Sequence, residues 1–160
     1  MEAGLSYNDL GLLDFFGDML GERLIIRYFL IIRTDLKAMG DETHHSRLAK
    51  EKREAALDEF SKGRYTVVGD MALKAVEQAI EAVASREGEH FHLSPRTAHA
   101  LRVKWAKENF PQISTDLDVV WSAYGDLGYD GLDGNRAREA VEAMERIIGE
   151  IERRSGIRFR

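Results

Sequence analysis

A chain of 160 residues, 44% of them hydrophobic, has the size of one domain and buries roughly 70% of the surface that its unfolded form exposes. The absence of cysteine excludes disulfides, thiolate nucleophiles, iron–sulfur clusters and cysteine-bound zinc. A formal net charge of −5 argues against a broad basic footprint for nucleic acid.

Met1 is followed by Glu2 and aspartates and not by a basic segment with a short apolar run, so a cytoplasmic location is expected. Residues 8–39 are dominated by apolar side chains. Asp14, Asp18 and Glu22 form one polar stripe, and residues 24–32 are apolar around most of a helix except at Arg27. A membrane span needs about 20 predominantly apolar residues, and Asp18, Glu22, Arg23, Arg27, Arg33 and Asp35 interrupt every such window. The segment therefore reads as a long N-terminal helix in need of cover. Leu24, Ile25, Tyr28, Phe29 and Ile32 are its expected contacts in a homodimer.

The polar stretch 39–46, which contains His44 and His45, reads as a loop. A charged helix over 47–61 follows, with the thin apolar stripe Leu48, Ala55, Leu57 and Phe60. After Gly63 an alanine-rich helix carries Val68, Ala72, Ala75, Val76, Ala79, Ile80 and Val83 at helical spacing, as a central packing element would. Ser94 and Pro95 supply a start signal for a helix with Leu101, Val103, Trp105 and Ala106, which stops before Pro111. Thr115 or Asp116 then caps a short helix through Leu117, Val120, Trp121 and Tyr124. The last helix, 135–154, gathers Ala137, Ala140, Val141, Met144, Ile147, Ile148 and Ile151 on one face, with Glu142–Arg146 and Glu150–Arg154 as i, i+4 pairs on the other. The arginine-rich end, 155–160, reads as a frayed basic tail. The fold class is all-α: an up-and-down bundle of four to five helices over 47–151 within a single domain 1–160, with residues 1–40 as an added apolar helix.

Two stretches carry chemistry. "REGEHFHLSPRTAH", residues 86–99, holds His90, His92 and His99 beside Arg86 and Arg96. It lacks a helical His-x-x-x-His spacing and a carboxylate at a recognisable offset, so exposed or capping histidines are expected and no metal site. "YGDLGYDGLDGNRAREAVEAM", residues 124–144, groups Asp126, Asp130 and Asp133 with glycines. Counted from Asp126, a calcium loop would place ligands at Gly128 and Ala137, and neither side chain can serve. A glycine-rich turn with Asp133 or Asn135 capping the last helix is expected instead.

"EAALDEFSKGRYTVVGDMALKAVEQAIEAVASREGEHFH" resembles the first two helices of the HEPN superfamily: a charged helix, a Gly-x-Tyr turn, an alanine-rich helix and a histidine-bearing connector. "WSAYGDLGYDGLDGNRAREAVEAMERIIGEI" is similar to that superfamily's closing part, so the resemblance covers about 47–151. It implies a dimeric helical bundle that acts as an RNA-cleaving toxin, as the partner of a minimal nucleotidyltransferase, or as a nucleotide- or RNA-associated module. Nuclease members carry an arginine, then four to six intervening residues and a histidine, near the start of the last long helix, for charge stabilisation and proton transfer. Arg136 and Arg138 occupy that place and no histidine follows them; Arg86 and His92 satisfy the spacing elsewhere. The resemblance thus favours a non-catalytic module without a cofactor. It would dimerise and bind a nucleotide, an RNA or a nucleotidyltransferase through a cleft near His90, His92, Arg96, Asp126, Tyr129 and Arg136. The alternative is a metal-independent ribonuclease or nucleotide-processing enzyme using Arg86 or Arg136 with His92.

Overall fold

The computed structural model describes residues 41–94, 96–129 and 133–159, all within the compact unit Gly40–Arg160. The expected N-terminal helix, its proposed dimer contacts Leu24, Ile25, Tyr28, Phe29 and Ile32, and Pro95 lie outside the described residues. Among those described, the fold is all-helical: α1 (Glu42–Ser61), α2 (Tyr65–Ala84), α3 (Ala98–Asn109), α4 (Ser114–Tyr129) and α5 (Gly134–Ser155), with short 3-10 turns at Ser85–Glu87, Phe91–Leu93 and Pro111–Ile113. No helix among the described residues is long and apolar enough to cross a membrane.

α2 is the axis of the bundle. It packs against α1, α4 and α5, and buries residues around most of its circumference, from Val68, Ala72 and Ala75 to Ala79, Ile80 and Ala82. Small residues make that possible, because two alanine faces let helix axes approach closely. The closest approach is at Gly69, where an added Cβ would stand 2.9 Å from the Ala123 carbonyl oxygen of α4. Only glycine fits there without moving the backbone.

Contacts along α2 give the direction of each neighbour. The start of α5 lies at the start of α2, with Gly134 against the Tyr65 ring. The end of α5 lies at the exit of α2, where Arg86 Nη1 donates to the Ser155 carbonyl at 2.7 Å. α5 therefore runs parallel to α2. α1 and α4 join these two helices through short connections and run the opposite way, which gives the up-and-down order. A bidentate pair between Arg53 of α1 and Glu145 of α5, at 2.6 Å for both bonds, ties the outer helices across the axis.

Several boundaries differ from the sequence expectation for identifiable reasons. α1 begins at Glu42, not near 47, because the Asp41 carboxylate accepts the His44 backbone N–H at 2.8 Å and caps the first turn. His44 and His45 are thus helical. The buried seam of α1 is His45, Ala49 and Ala56, one step out of phase with the expected leucines, and Leu57 is exposed. α4 continues through Gly125 and Gly128 to Tyr129, where a turn was expected. Asp133 does cap α5, accepting from the backbone N–H groups of Asn135 at 2.9 Å and Arg136 at 3.2 Å. Arg146 reaches Asp116 of α4 and Arg153, not Arg154, takes Glu150. The expected fraying is not seen at residues 156–159. Gly156 adopts a left-handed φ of 75°, which turns the chain so that Ile157 and Phe159 are buried. The Phe159 N–H donates to Glu152 Oε1 at 2.8 Å.

Candidate metal centre

At the end of the bundle where α2 exits, four segments meet: the first turn of α1, the last two turns of α2, the 3-10 connector and the first turns of α3. Glu77 and Glu81 stand one turn apart on α2, and both are buried. Because neighbouring elements cover this part of α2, its carboxylates cannot reach bulk water and need partners within the fold.

Arg102, itself buried on α3, supplies the main one. Its Nε donates to Glu81 Oε1 at 2.7 Å and its Nη1 to Glu77 Oε1 at 3.3 Å. Glu77 also receives Lys74 Nζ on Oε2 at 2.9 Å and the His99 ring on Oε1. Both Glu77 oxygens are therefore engaged. On Glu81 the second oxygen faces His92 Nδ1 at 3.3 Å, longer than the 2.7–2.9 Å or so of a charge-assisted bond. That spacing matches the edge between two ligands of a tetrahedral zinc, about 3.3 Å for bonds of 2.0–2.1 Å.

His45 completes the group from α1. It is 3% exposed, and its ring lies 5.1 Å from that of His92, centroid to centroid. Its Nδ1 is 2.8 Å from Gln78 Oε1. The amide oxygen only accepts, so Nδ1 carries the proton and Nε2 keeps its lone pair. That Nε2 is buried without a hydrogen-bond partner. Burial, the largest influence, pushes the His45 pKa below its ordinary value of 6.5, against the opposing bond from Gln78 and the charge of Glu81. A neutral imidazole with one nitrogen oriented by an amide and the other bare is the form a metal ligand takes. One nitrogen each of His45 and His92 and one oxygen of Glu81 all lie within 4.8 Å of one another.

The structure divides the residues that the sequence groups into one cleft. His92 belongs to this cluster, and His90, whose ring is 5.7 Å from that of His92, lies beside it. Arg96 is exposed in the same connector. Arg136 and Asp126 pair at 2.8 Å near the start of α5, with Tyr129, 85% exposed, at the end of α4. The 20-residue α2 separates these ends by about 30 Å. Arg86 is held by the Glu42 carboxylate and the Ser155 carbonyl, and clasps the ends of α1, α2 and α5. Its bond to Glu42 raises its pKa and lowers that of Glu42.

Sequence reasoning missed His45, Glu77, Glu81 and Arg102. The carboxylate sought near the histidines is supplied by α2, eleven residues before His92. A usable signal was present: Glu77 and Glu81 lie among the alanines that mark α2 as a central element, and a charge so placed must find partners. No protein-family model, curated protein or solved structure matches the chain.

Proposed function

We propose that this protein is a helical module that binds a divalent transition-metal ion, foremost zinc, through His45, Glu81 and His92. The observation that carries the reading is that buried His45, whose Nε2 has no hydrogen-bond partner, offers a ring nitrogen within ligand distance of Glu81 and His92. Imidazole donors select zinc, nickel, copper, cobalt or iron over magnesium and calcium, which prefer all-oxygen shells. The metal and not an anion is the natural ligand, because the buried guanidinium of Arg102 is already taken by two carboxylates.

Zinc titration of chelator-treated protein, followed by calorimetry and by thermal unfolding, tests it. Saturation at a hundredfold excess over Kd adds about 2.7 kcal/mol of stability, a rise in Tm on the order of 10 °C for a domain of this size. His45→Gln with His92→Gln abolishes the rise. Equal thermal shifts in wild type and the double variant would remove the assignment.

A second reading keeps the resemblance to the HEPN superfamily and its RNA- or nucleotide-associated roles, with a nucleotidyltransferase as a candidate partner. One placement favours it. Arg86 and His92, at the nuclease spacing, both border the first turn of α1, through Glu42 and His45 respectively. Cleavage of mixed RNA that survives a chelator and is lost in His92→Ala supports that reading over the metal one.

A further inference from the structure

The three ligands His45, Glu81 and His92 leave one position of a tetrahedral zinc to be filled. A water there makes an open, catalytic site, and a fourth side chain makes a closed, structural one. Two features of this end of the bundle bear on the choice.

The first is His90. Its Nδ1 is buried and has no hydrogen-bond partner, as with His45 Nε2. Two imidazoles on one tetrahedral zinc hold their ring centroids about 5.2 Å apart, from a Zn–N bond of 2.0–2.1 Å. The ring of His45 stands 5.1 Å from that of His92, at this spacing, and the ring of His90 stands 5.7 Å from it, beside the group His45, Glu81 and His92 and outside it, so His90 joins that group through a change of rotamer. His90 precedes the 3-10 turn Phe91–Leu93 and its side chain makes no capping bond there. Nothing in its own hydrogen bonding opposes a change of rotamer toward the cluster.

The second is the state of Glu77. An open zinc hydrolase needs a carboxylate or imidazole free to take a proton from the bound water. Glu77 is the nearest remaining carboxylate on α2, and it is spent: Arg102 and His99 hold Oε1, and Lys74 holds Oε2. The arrangement around Glu77 orients Arg102 toward Glu81 and leaves no base on that side.

Resting on the metal-binding reading above, we infer that His90 is the fourth ligand and that the ion is a closed, structural clasp. It joins the connector, through His90 and His92, to α1 through His45 and to α2 through Glu81. The connector is where such a clasp has most to do, since it is built of short 3-10 turns at Ser85–Glu87 and Phe91–Leu93, whose hydrogen bonds are few and poorly aligned.

Cobalt(II), a spectroscopic stand-in for zinc, reports coordination number and open positions. Full-length protein loaded with Co²⁺ gives the intense visible bands of a tetrahedral ion, and added azide leaves them unchanged because no position is exchangeable. His90→Ala lowers Co²⁺ affinity by tenfold or more and makes the bands azide-responsive. Arg146→Gln, which alters only an exposed pair with Asp116 of α4, changes neither. An azide-responsive wild type, or a His90→Ala protein with unaltered affinity and spectrum, overturns the fourth ligand while the three-ligand site stands. If wild type takes up no Co²⁺, both readings fall. The wild-type azide response needs no variant, so a misfolded His90→Ala cannot shelter the inference.

Discussion

The two ends of the bundle handle charge in opposite ways. Where α4 passes into α5, Arg136 meets Asp126, Glu139 and the Ser122 hydroxyl, and both carboxylates are more than half exposed. Water solvates whatever the pairing leaves over. Where α2 passes into the connector, Glu77, Glu81, Arg102 and His45 are all below a tenth exposed, and solvation is replaced by fixed partners. Charges at the first end are replaceable, whereas those at the second are restricted to one geometry. The orphan nitrogens of His45 and His90 lie at the second end, where a ligand has donors to engage.

The largest expected effect is at Arg102. Arg102→Met keeps most of the volume and removes the cation shared by Glu77 and Glu81, leaving two buried carboxylates short of compensation. Loss of one partner from a buried charge network costs about 3–5 kcal/mol. Urea denaturation should show that loss, with partial recovery on adding Glu81→Gln. A cost under about 1 kcal/mol, the range of surface pairs, would erase the contrast between the ends.

A smaller effect comes from acid. Burial is the largest influence on His45 and lowers its pKa below 6.5; Gln78 and Glu81 from α2 oppose it, and His92 from the connector and His44 on its own helix act with it. The unfolded chain therefore binds a proton that the folded chain resists. This contribution is fully present above pH 6.5 and is lost as the pH falls from there through the folded value. Melting curves of chelator-treated protein between pH 8 and pH 5 should fall more steeply for wild type than for His45→Gln. Parallel curves would mean that His45 is solvated, like the groups at the other end.

The same contrast marks what could be read from the sequence. α5 was legible because its apolar residues keep one face for its whole length and all seven predicted core positions are buried. α2 was legible as a central element from its alanines. The site was not, because its charged members sit at positions that periodicity assigns to water. On α3 the buried stripe is Ala98, Arg102 and Ala106, and a pattern of apolar residues passes over the arginine. On α1 the helical placement of His45 depends on Asp41, whose capping bond brings the segment 42–46 into the helix and leaves little mark in the apolar pattern. The buried tail was missed for a related reason: Ile157 and Phe159 are only two side chains among arginines, and their burial depends on the turn at Gly156.

The smallest expected effect belongs to Arg136, and it is the one that separates capping from ion pairing at the same helix start. Asp133 accepts two backbone N–H groups of α5, so Asp133→Ala leaves donors of the first turn unpaired and costs about 1 kcal/mol, independent of salt. Arg136→Ala removes bonds to Asp126 and Glu139, both at 2.8 Å, yet these partners return to water when released. Its cost should be about 0.5 kcal/mol and should vanish in molar salt, where screening acts over about 3 Å. The guanidinium stands one helical turn from Glu139 and bridges to α4, so a loss of about 2 kcal/mol or more that persists in salt, beyond the range of exposed pairs, would mean that the bridge holds α4 to α5. In that case the charges of the exposed end would be held to one geometry no less than those of the buried end.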